Sequence, residues 1–166
     1  MKKKISKKLI YRMYDNAYKS FDRLTPLLFD CGELCNARCC KGKDGMYLFP
    51  YEEIFIGSHW ENKITHIKND IPLLICDGIC QREHRPLSCR IFPLFPYIID
   101  SKLKVDFDLR AKNICPLQFN DIAEIQIQKK FKRKVYRVFK KLIKNKDIYD
   151  FCSRISEEIL FLEKFY

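Results

Sequence analysis

The sequence predicts an α-rich α+β fold in which an irregular, cysteine-bearing centre with short strands is flanked by amphipathic helices. Apolar residues recur at helical spacing towards both ends of the chain, whereas residues 72–108 alternate short apolar runs with Asp, Gly and Pro turn signals. Eight of the nine cysteines fall between Cys31 and Cys115. With 166 residues, the chain is expected to be a single domain, with a cysteine-cluster metal-binding core at 31–116 and helical flanks at 1–30 and 117–166.

The first flank is predicted to be an amphipathic helix over residues 5–24, ending before Pro26. Its expected inner residues are Ile5, Leu9, Tyr11, Met13, Ala17, Tyr18, Phe21 and Leu24. A short strand follows at residues 46–49. Pro50, followed by Glu52 and Glu53, then indicates a helix that begins there and runs to about Trp60, since proline and acidic residues favour a first turn.

Residues 97–99 and 103–107 are predicted to pair as a hairpin across Asp100, Ser101 and Lys102. Both runs are apolar enough for strands, and the residues between them favour a turn. Pro96 lacks an N–H group and therefore argues against a central strand at this position.

Two helices are predicted in the last third of the chain. The first has the form of a capping box from Asp121 to Glu124, and the second is expected over residues 147–164. The apolar face of the first comprises Ile122, Ile125, Phe131, Val135, Val138, Phe139 and Leu142. The inner stripe of the second comprises Ile148, Phe151, Cys152, Ile155, Ile159 and Leu162. The ninth cysteine, Cys152, is therefore predicted to be a core residue.

A cluster of cysteines this dense either forms disulfides or binds metal, and the redox compartment of the protein decides between the two. The amino-terminal segment has no apolar stretch of about seven residues, so a secretory signal is not expected, and no run approaches the roughly 18 apolar residues of a membrane span. We therefore expect a cytoplasmic protein without a membrane partner. Thiols there stay reduced and more often bind metal than form cross-links.

Eight cysteines are candidate metal ligands: Cys31, Cys35, Cys39, Cys40, Cys76, Cys80, Cys89 and Cys115. A structural zinc site and an iron–sulfur cluster each take four thiolates, so eight suffice for two centres. The adjacent Cys39 and Cys40 are expected to point apart. They either serve two centres, reach different irons of one cluster, or leave one thiol in the core, and spacing does not choose between zinc and iron.

Arg85 and Arg90 bracket Cys89 and are candidates for supporting the site. A four-thiolate centre on a divalent ion carries a net charge of about minus two, which nearby guanidinium groups would offset. Ordinary surface salt bridges are the alternative for both arginines. His84 is expected to be a hydrogen-bonding neighbour rather than a ligand, and His59 and His66 are assigned no role.

The cysteine pattern resembles that of the CxxCxxCC cysteine-cluster family, described as zinc- or iron-chelating domain proteins. The matching positions are Cys31, Cys35, Cys39, Cys40, Cys76, Cys80, Arg85, Pro86, Cys89, Arg90, Phe92, Pro93, Cys115 and Pro116. The first run is spaced C-x3-C-x3-C-C, one residue longer at each step than in the family. The resemblance implies a chelated zinc ion or iron–sulfur cluster held by these cysteines, and which of the first four are ligands stays open.

The basic charge bears on partners. The formal net charge is +11, and residues 129–146 contain ten lysines and arginines without one acid. Such a patch is typical of polyanion binding, but the solvated face of a helix has the same composition, and nucleic acid is not the favoured partner. A metal ion or cluster is the expected partner, and a protein partner is left open.

Three functions remain open. The leading interpretation is a metal-binding protein whose centre is structural or electron-carrying. The resemblance also brings in a cluster-dependent modifying enzyme, because a related cysteine cluster occurs in some bacterial flagellin lysine methylases. The third is a metal-stapled nucleic-acid-binding module, which only the charge supports.

Overall fold

A computed structural model describes residues 5–41, 45–67, 70–75, 77–78, 81–118 and 126–164. Within them the chain forms six α-helices and two small antiparallel sheets, which confirms the α-rich α+β class. The helices are α1 (Lys7–Lys19), α2 (Gly32–Cys35), α3 (Glu52–Ile56), α4 (Leu87–Ile91), α5 (Lys129–Leu142) and α6 (Lys146–Glu163). The strands are β1 (Met46–Tyr47), β2 (Ile64–Ile67), β3 (Ile71–Leu74), β4 (Leu94–Ile99) and β5 (Lys102–Phe107).

Helix α1 forms where predicted, but its buried face is not the predicted one. Ser6 caps it by accepting a hydrogen bond from the Leu9 backbone N–H, and the helix ends at Lys19. Leu9 and Tyr11, expected to face inward, are 52% and 40% exposed. Tyr14 is buried instead, because its ring and that of Tyr18 pack on Phe55 of α3, with ring centroids 5.7 and 4.8 Å apart.

The three-stranded sheet has the order β1-β3-β2, with all neighbours antiparallel. The predicted strand at 46–49 is shorter than expected and ends at Tyr47. The predicted helix to about Trp60 is α3, and a 3-10 helix (Gly57–Lys63) continues it. This sheet and the 3-10 helix surround a small second core made of Leu48, Trp60 and Leu74.

The predicted hairpin is present and longer than expected, with β4 paired to β5 from Leu94–Phe107 to Ile99–Lys102. Asp100 and Ser101 form the connection with φ values of 50° and 59°, as a two-residue turn with left-handed residues requires. Pro96 lies in β4, and this sheet has only two strands, so its missing N–H breaks no central ladder.

Helices α5 and α6 pack against this hairpin and complete the main core. Helix α5 begins at Lys129, and residues 126–128 before it are not helical. The predicted capping box from Asp121 to Glu124 lies outside the described residues. Asn145 caps α6 by accepting from the Asp147 and Ile148 N–H groups. Cys152 is fully buried as predicted, whereas Leu162, expected on the inner stripe, is 47% exposed.

Candidate metal centre

Four of the predicted ligand cysteines line one cavity of about 330 Å³. Cys31 directly precedes α2, Cys39 and Cys40 lie in a 3-10 helix (Arg38–Cys40), and Cys89 lies in α4. The fold therefore brings Cys89 to the first cysteine run across about 50 residues of sequence.

The first cysteine run is short, irregular and stabilised by local hydrogen bonds. Asp30 Oδ1 accepts from the Gly32 N–H at 2.9 Å, and the Ala37 N–H donates to the Gly32 carbonyl at 2.8 Å to close the turn. Asn36 and Ala37 are both left-handed, with φ values of 51° and 50°, which ends α2 after one turn. This conformation is costly for alanine, and it redirects the chain so that the next two cysteines face the cavity.

Cys39 and Cys40 share a face of the chain. Interaction between the two thiols lowers the pKa of Cys40 and raises that of Cys39. Both side chains line the same cavity. The expectation that adjacent side chains diverge is therefore wrong here, because the tight 3-10 turn after two left-handed residues replaces the helical or extended backbone it assumed.

Two further predicted ligands lie beside these four. Cys35 is half-buried, and its thiol is 3.9 Å from the Cys31 carbonyl oxygen. Cys115 is buried, and this burial, together with charge on Cys31 and Cys35, raises its pKa to about 11. Cys115 is therefore an electrostatic neighbour of the first run although it is far away in sequence.

The remaining predicted ligands, Cys76 and Cys80, lie outside the described residues. Gly78, between them in sequence, is described and has a φ of 79°. A Cβ at this position would lie 2.8 Å from the Cys40 carbonyl oxygen. Only glycine therefore allows this close backbone approach, which packs residue 78 against the first cysteine run.

Three arginines, Arg82, Arg85 and Arg90, line the same cavity. The Arg85 charge lowers the pKa of Cys40 and opposes the increase that burial causes at Cys31. Burial, Arg85 and Arg90 all lower the pKa of Arg82. The acids Asp30 and Glu33 also line the cavity, so its charged lining has a small positive excess, and Arg85 acts electrostatically on two of its thiols.

Arg90 is only 4% exposed and links α1 to the segment before α4. Its guanidinium donates to Asp22 Oδ1 at 2.9 Å and to the Arg85 and Glu83 carbonyls at 2.8 Å each. It also stacks on the Tyr18 ring, 4.4 Å from the centroid. These donors are directed to backbone and carboxylate oxygens, so the support that Arg90 gives the cavity is positive charge and a fixed position for α4.

Arg82 is a neighbour of the cavity that sequence reasoning missed. Its guanidinium donates to the Asp22, Phe21 and Leu24 carbonyls at 2.8 to 3.0 Å and so fixes the chain that follows α1. The signal in the sequence was its position three residues before Arg85, on the same cysteine-bearing segment.

Glu52 is a second residue that sequence reasoning missed, since it was interpreted as a first-turn acid. It is fully buried, and Oε1 accepts from the Tyr18 hydroxyl and the Leu87 N–H at 2.6 Å each, while Oε2 accepts from the Phe49 N–H at 2.9 Å. Burial raises its pKa, and these hydrogen bonds oppose the increase. Glu52 thereby anchors the first turn of α4, the helix that carries Cys89.

His84 contacts the rim of the cavity through neighbours rather than through a thiol. Its ring stacks on that of His59 with centroids 3.8 Å apart, and its carbonyl accepts from the Trp60 indole N–H at 2.8 Å. His66 lies elsewhere, 3.2 Å from a carboxylate oxygen of Glu53. Its only described polar partner is thus that carboxylate on the surface.

The thiols converge without forming a closed ligand set. Among the described residues, no group of three or more histidine, cysteine, aspartate or glutamate side chains has the spacing to hold a metal ion.

Comparison of the chain with family models, curated proteins and solved structures finds no match. None of the described helices is both long and apolar enough to span a bilayer. The family resemblance and the bound metal therefore remain predictions.

Proposed function

We propose that the protein binds an iron–sulfur cluster or zinc through the cysteines around the cavity, with a structural or electron-carrying role. The observation that supports this proposal is the convergence of Cys31, Cys39, Cys40 and Cys89 on one cavity, with Cys35 and Cys115 beside them. Reduced thiols gathered from distant parts of a chain are the donor set that both metals prefer.

The charge around the cavity supports the same proposal. Three arginines line it beside two acids, Asp30 and Glu33, and the nearby Asp22 is already paired with Arg90 at 2.9 Å. Burial lowers the pKa of Arg82 most, and repulsion from Arg85 and Arg90 lowers it further. A four-thiolate centre with a net charge of about minus two would offset this repulsion and accept hydrogen bonds at sulfur.

The size of the cavity favours a cluster over a single zinc ion. Four thiolates at about 2.3 Å from zinc close tightly around it and leave little space between them. A cavity of about 330 Å³ with thiols on its wall is larger than such a site needs. A cubane iron–sulfur cluster, in which each thiolate binds a different iron, spreads the cysteine sulfur atoms further apart.

Purification without oxygen, followed by elemental analysis and visible absorption, tests the proposal. We expect a brown protein with bound iron and sulfide. A colourless, zinc-loaded protein would support a metal centre of the structural kind, and a protein with neither metal would overturn the proposal.

A matched pair of variants assigns the metal to the cavity. Cys89→Ala removes a thiol that lines the cavity, and Cys152→Ala removes one that is fully buried in the main core. We expect metal to be lost from the first variant alone. Equal metal content in the two variants would place the metal elsewhere.

A second candidate is a cluster-dependent modifying enzyme, which the resemblance to flagellin lysine methylases implies. The cavity volume falls in the range of small-molecule sites, and apolar residues such as Met46, Leu74 and Phe92 line part of it. A methylase would need a methyl donor there. A rise in the melting temperature of the metal-loaded protein with S-adenosylmethionine would favour this candidate, and an unchanged melting temperature would count against it.

A further inference from the structure

A groove of about 240 Å³ runs between α1 and α5, away from the cysteines. Its base is apolar and includes Ala17 and Val138, which are both buried. The remaining lining residues are Met13 and Asn16 from α1, Ser20 directly after it, and Lys134, Arg137, Lys141 and Leu142 from α5. One edge of the groove is therefore cationic and the other polar but uncharged.

The three cations follow one side of α5. They occupy positions i, i+3 and i+7, so they lie on one face and extend over about 10 Å of helix. They are spread along the groove and do not converge on one point. That arrangement suits a polyanion with repeated charges better than a single phosphate group.

Among the described residues, the cations of the groove also lack carboxylate partners. Other lysines nearby are paired: Lys132 with Asp106 at 3.0 Å, and Lys19 with Asp15 at 2.8 Å. In the part of the chain that the structure describes, no ion pair includes Lys134, Arg137 or Lys141, and no acid lines the groove. Their charge is therefore directed to solvent and open to an anionic ligand.

The apolar face of α5 distinguishes between polyanions. An interfacial helix binds a membrane by inserting its apolar face between lipids. In α5 that face is already in the core, since Phe131, Val135 and Phe139 are fully buried. A lipid surface would meet only the charged side of the helix, whereas a nucleic-acid strand needs no apolar insertion.

We propose that the groove between α1 and α5 binds the phosphodiester backbone of a nucleic acid, without reading its bases. Lys134, Arg137 and Lys141 contact successive phosphates, and Asn16 and Ser20 form the opposite edge. Such contacts position a strand and carry no sequence information. The binding is independent of the metal centre.

Fluorescence anisotropy with a labelled oligodeoxythymidine of about 15 nucleotides tests the proposal on the full, metal-loaded chain. We expect the logarithm of the affinity to fall with the logarithm of salt concentration with a slope of about −2, because each of three neutralised phosphates on a single strand contributes about −0.7. The triple variant Lys134→Ala, Arg137→Ala, Lys141→Ala should weaken binding by roughly tenfold or more and flatten this slope. Alanine preserves the helix, and circular dichroism and metal content should match those of the parent.

The control is a triple variant with the same loss of charge outside the groove: Lys102→Ala, Lys129→Ala, Lys140→Ala. All three lysines are exposed, and none lines the groove. A much smaller loss in this control supports the proposal. Equal losses in the two variants would show general charge attraction and overturn it, as would no measurable binding by the parent protein, or binding to phosphatidylserine vesicles without binding to the oligonucleotide.

Discussion

The helical core and the first cysteine run hold their shapes by different means. In the core, α5 and α6 bury large side chains completely, including Phe131, Phe139, Ile148 and Ile155. Across residues 31–40, by contrast, not one residue is buried. Since burial of apolar surface is the main favourable term in folding, the core is self-sufficient and the cysteine run is not. The difference indicates that the run depends on polar links and, under our proposal, on metal.

Polar links add to the apolar packing of α4, whose Leu87 and Ile91 are buried in the main core. Arg90 connects the end of α1 to the segment before α4, and Glu52 connects α1 to the first turn of α4. Ser88 adds a hydrogen bond from α4 to the Tyr47 carbonyl in β1. These contacts position Cys89 from the core side, so only the opposite wall of the cavity, with Cys31, Cys39 and Cys40, relies on the proposed metal.

Metal removal should have the largest effect, and it should unfold the first cysteine run while the helical core stays folded. Chelation of the loaded protein should remove binding free energy on the order of 10 kcal/mol and unfold residues 31–40, because no buried side chain holds them. Hydrogen exchange measured by mass spectrometry should then show lost protection at residues 31–40, with α5 and α6 unchanged. Equal loss of protection in α6 would contradict the proposed independence of the core.

Phe139→Ala should produce the reverse pattern. Phe139 is fully buried, and its ring centroid lies 4.9 Å from that of Phe49, so its loss leaves a large cavity in the core. We expect the free energy of unfolding to fall by about 3–5 kcal/mol, measured by urea denaturation, while the folded protein keeps its metal. Tyr136→Ala on the same helix, where the ring is 39% exposed, should change it by less than about 0.5 kcal/mol. Metal loss from folded Phe139→Ala would show that the two regions are coupled.

Glu52→Gln tests the link between the regions. The amide nitrogen of glutamine cannot accept a hydrogen bond, so a buried N–H of Phe49 or Leu87 loses its acceptor, at a cost of about 2 kcal/mol. Chemical denaturation should show this loss. The neighbouring Glu53→Gln, whose side chain is 36% exposed, should have little effect.

The same variant should change the pH dependence of stability. Because burial raises the pKa of Glu52, the folded state binds more protons than the unfolded state between the ordinary glutamate pKa and the raised value. This carboxyl group therefore contributes most stability below the ordinary pKa, and the contribution is lost as pH rises through the raised one. Denaturation of parent and Glu52→Gln at several pH values above about 4.3 should show a falling component that the variant lacks. Parallel curves would contradict this assignment.

The sequence predicted the elements whose pattern is local. Helix α6 lies within one residue of its predicted ends, and the hairpin was found from its turn residues, because periodicity and turn chemistry are properties of neighbouring residues. The buried face of α1 was wrong at Leu9 and Tyr11. Apolar residues occur around much of that helix. The buried face is the one that packs on Phe55, and the sequence does not predict where Phe55 lies relative to α1.

The candidate site shows the same limit more sharply. Cysteine spacing predicted a cluster of thiols, but not that Cys39 and Cys40 share a face. That arrangement depends on the left-handed backbone at Asn36 and Ala37, and neither position is a glycine, the residue that would indicate such a conformation in the sequence. Glu52 was predicted to be an acid of a first helical turn, which is where it lies, but its burial was not predicted. Two of its three partners, Tyr18 and Leu87, lie more than 30 residues away, so its burial depends on contacts that no local pattern contains.

Cys152→Ala should have a smaller effect than Phe139→Ala or Glu52→Gln and marks the boundary of the cysteine cluster. Cys152 is fully buried in α6, burial raises its pKa well above the ordinary range, and its carbonyl accepts from the Ser156 hydroxyl at 2.6 Å. Removing one sulfur atom leaves a small cavity and keeps that backbone hydrogen bond, so the free energy of unfolding should fall by only about 1 kcal/mol. A buried, protonated thiol is unreactive, and iodoacetamide should therefore leave Cys152 unlabelled in the folded protein until denaturant is added. Mass spectrometry of tryptic peptides measures the labelling. Rapid labelling in the native state would mean that α6 opens locally, and that this part of the core is less stable than its burial indicates.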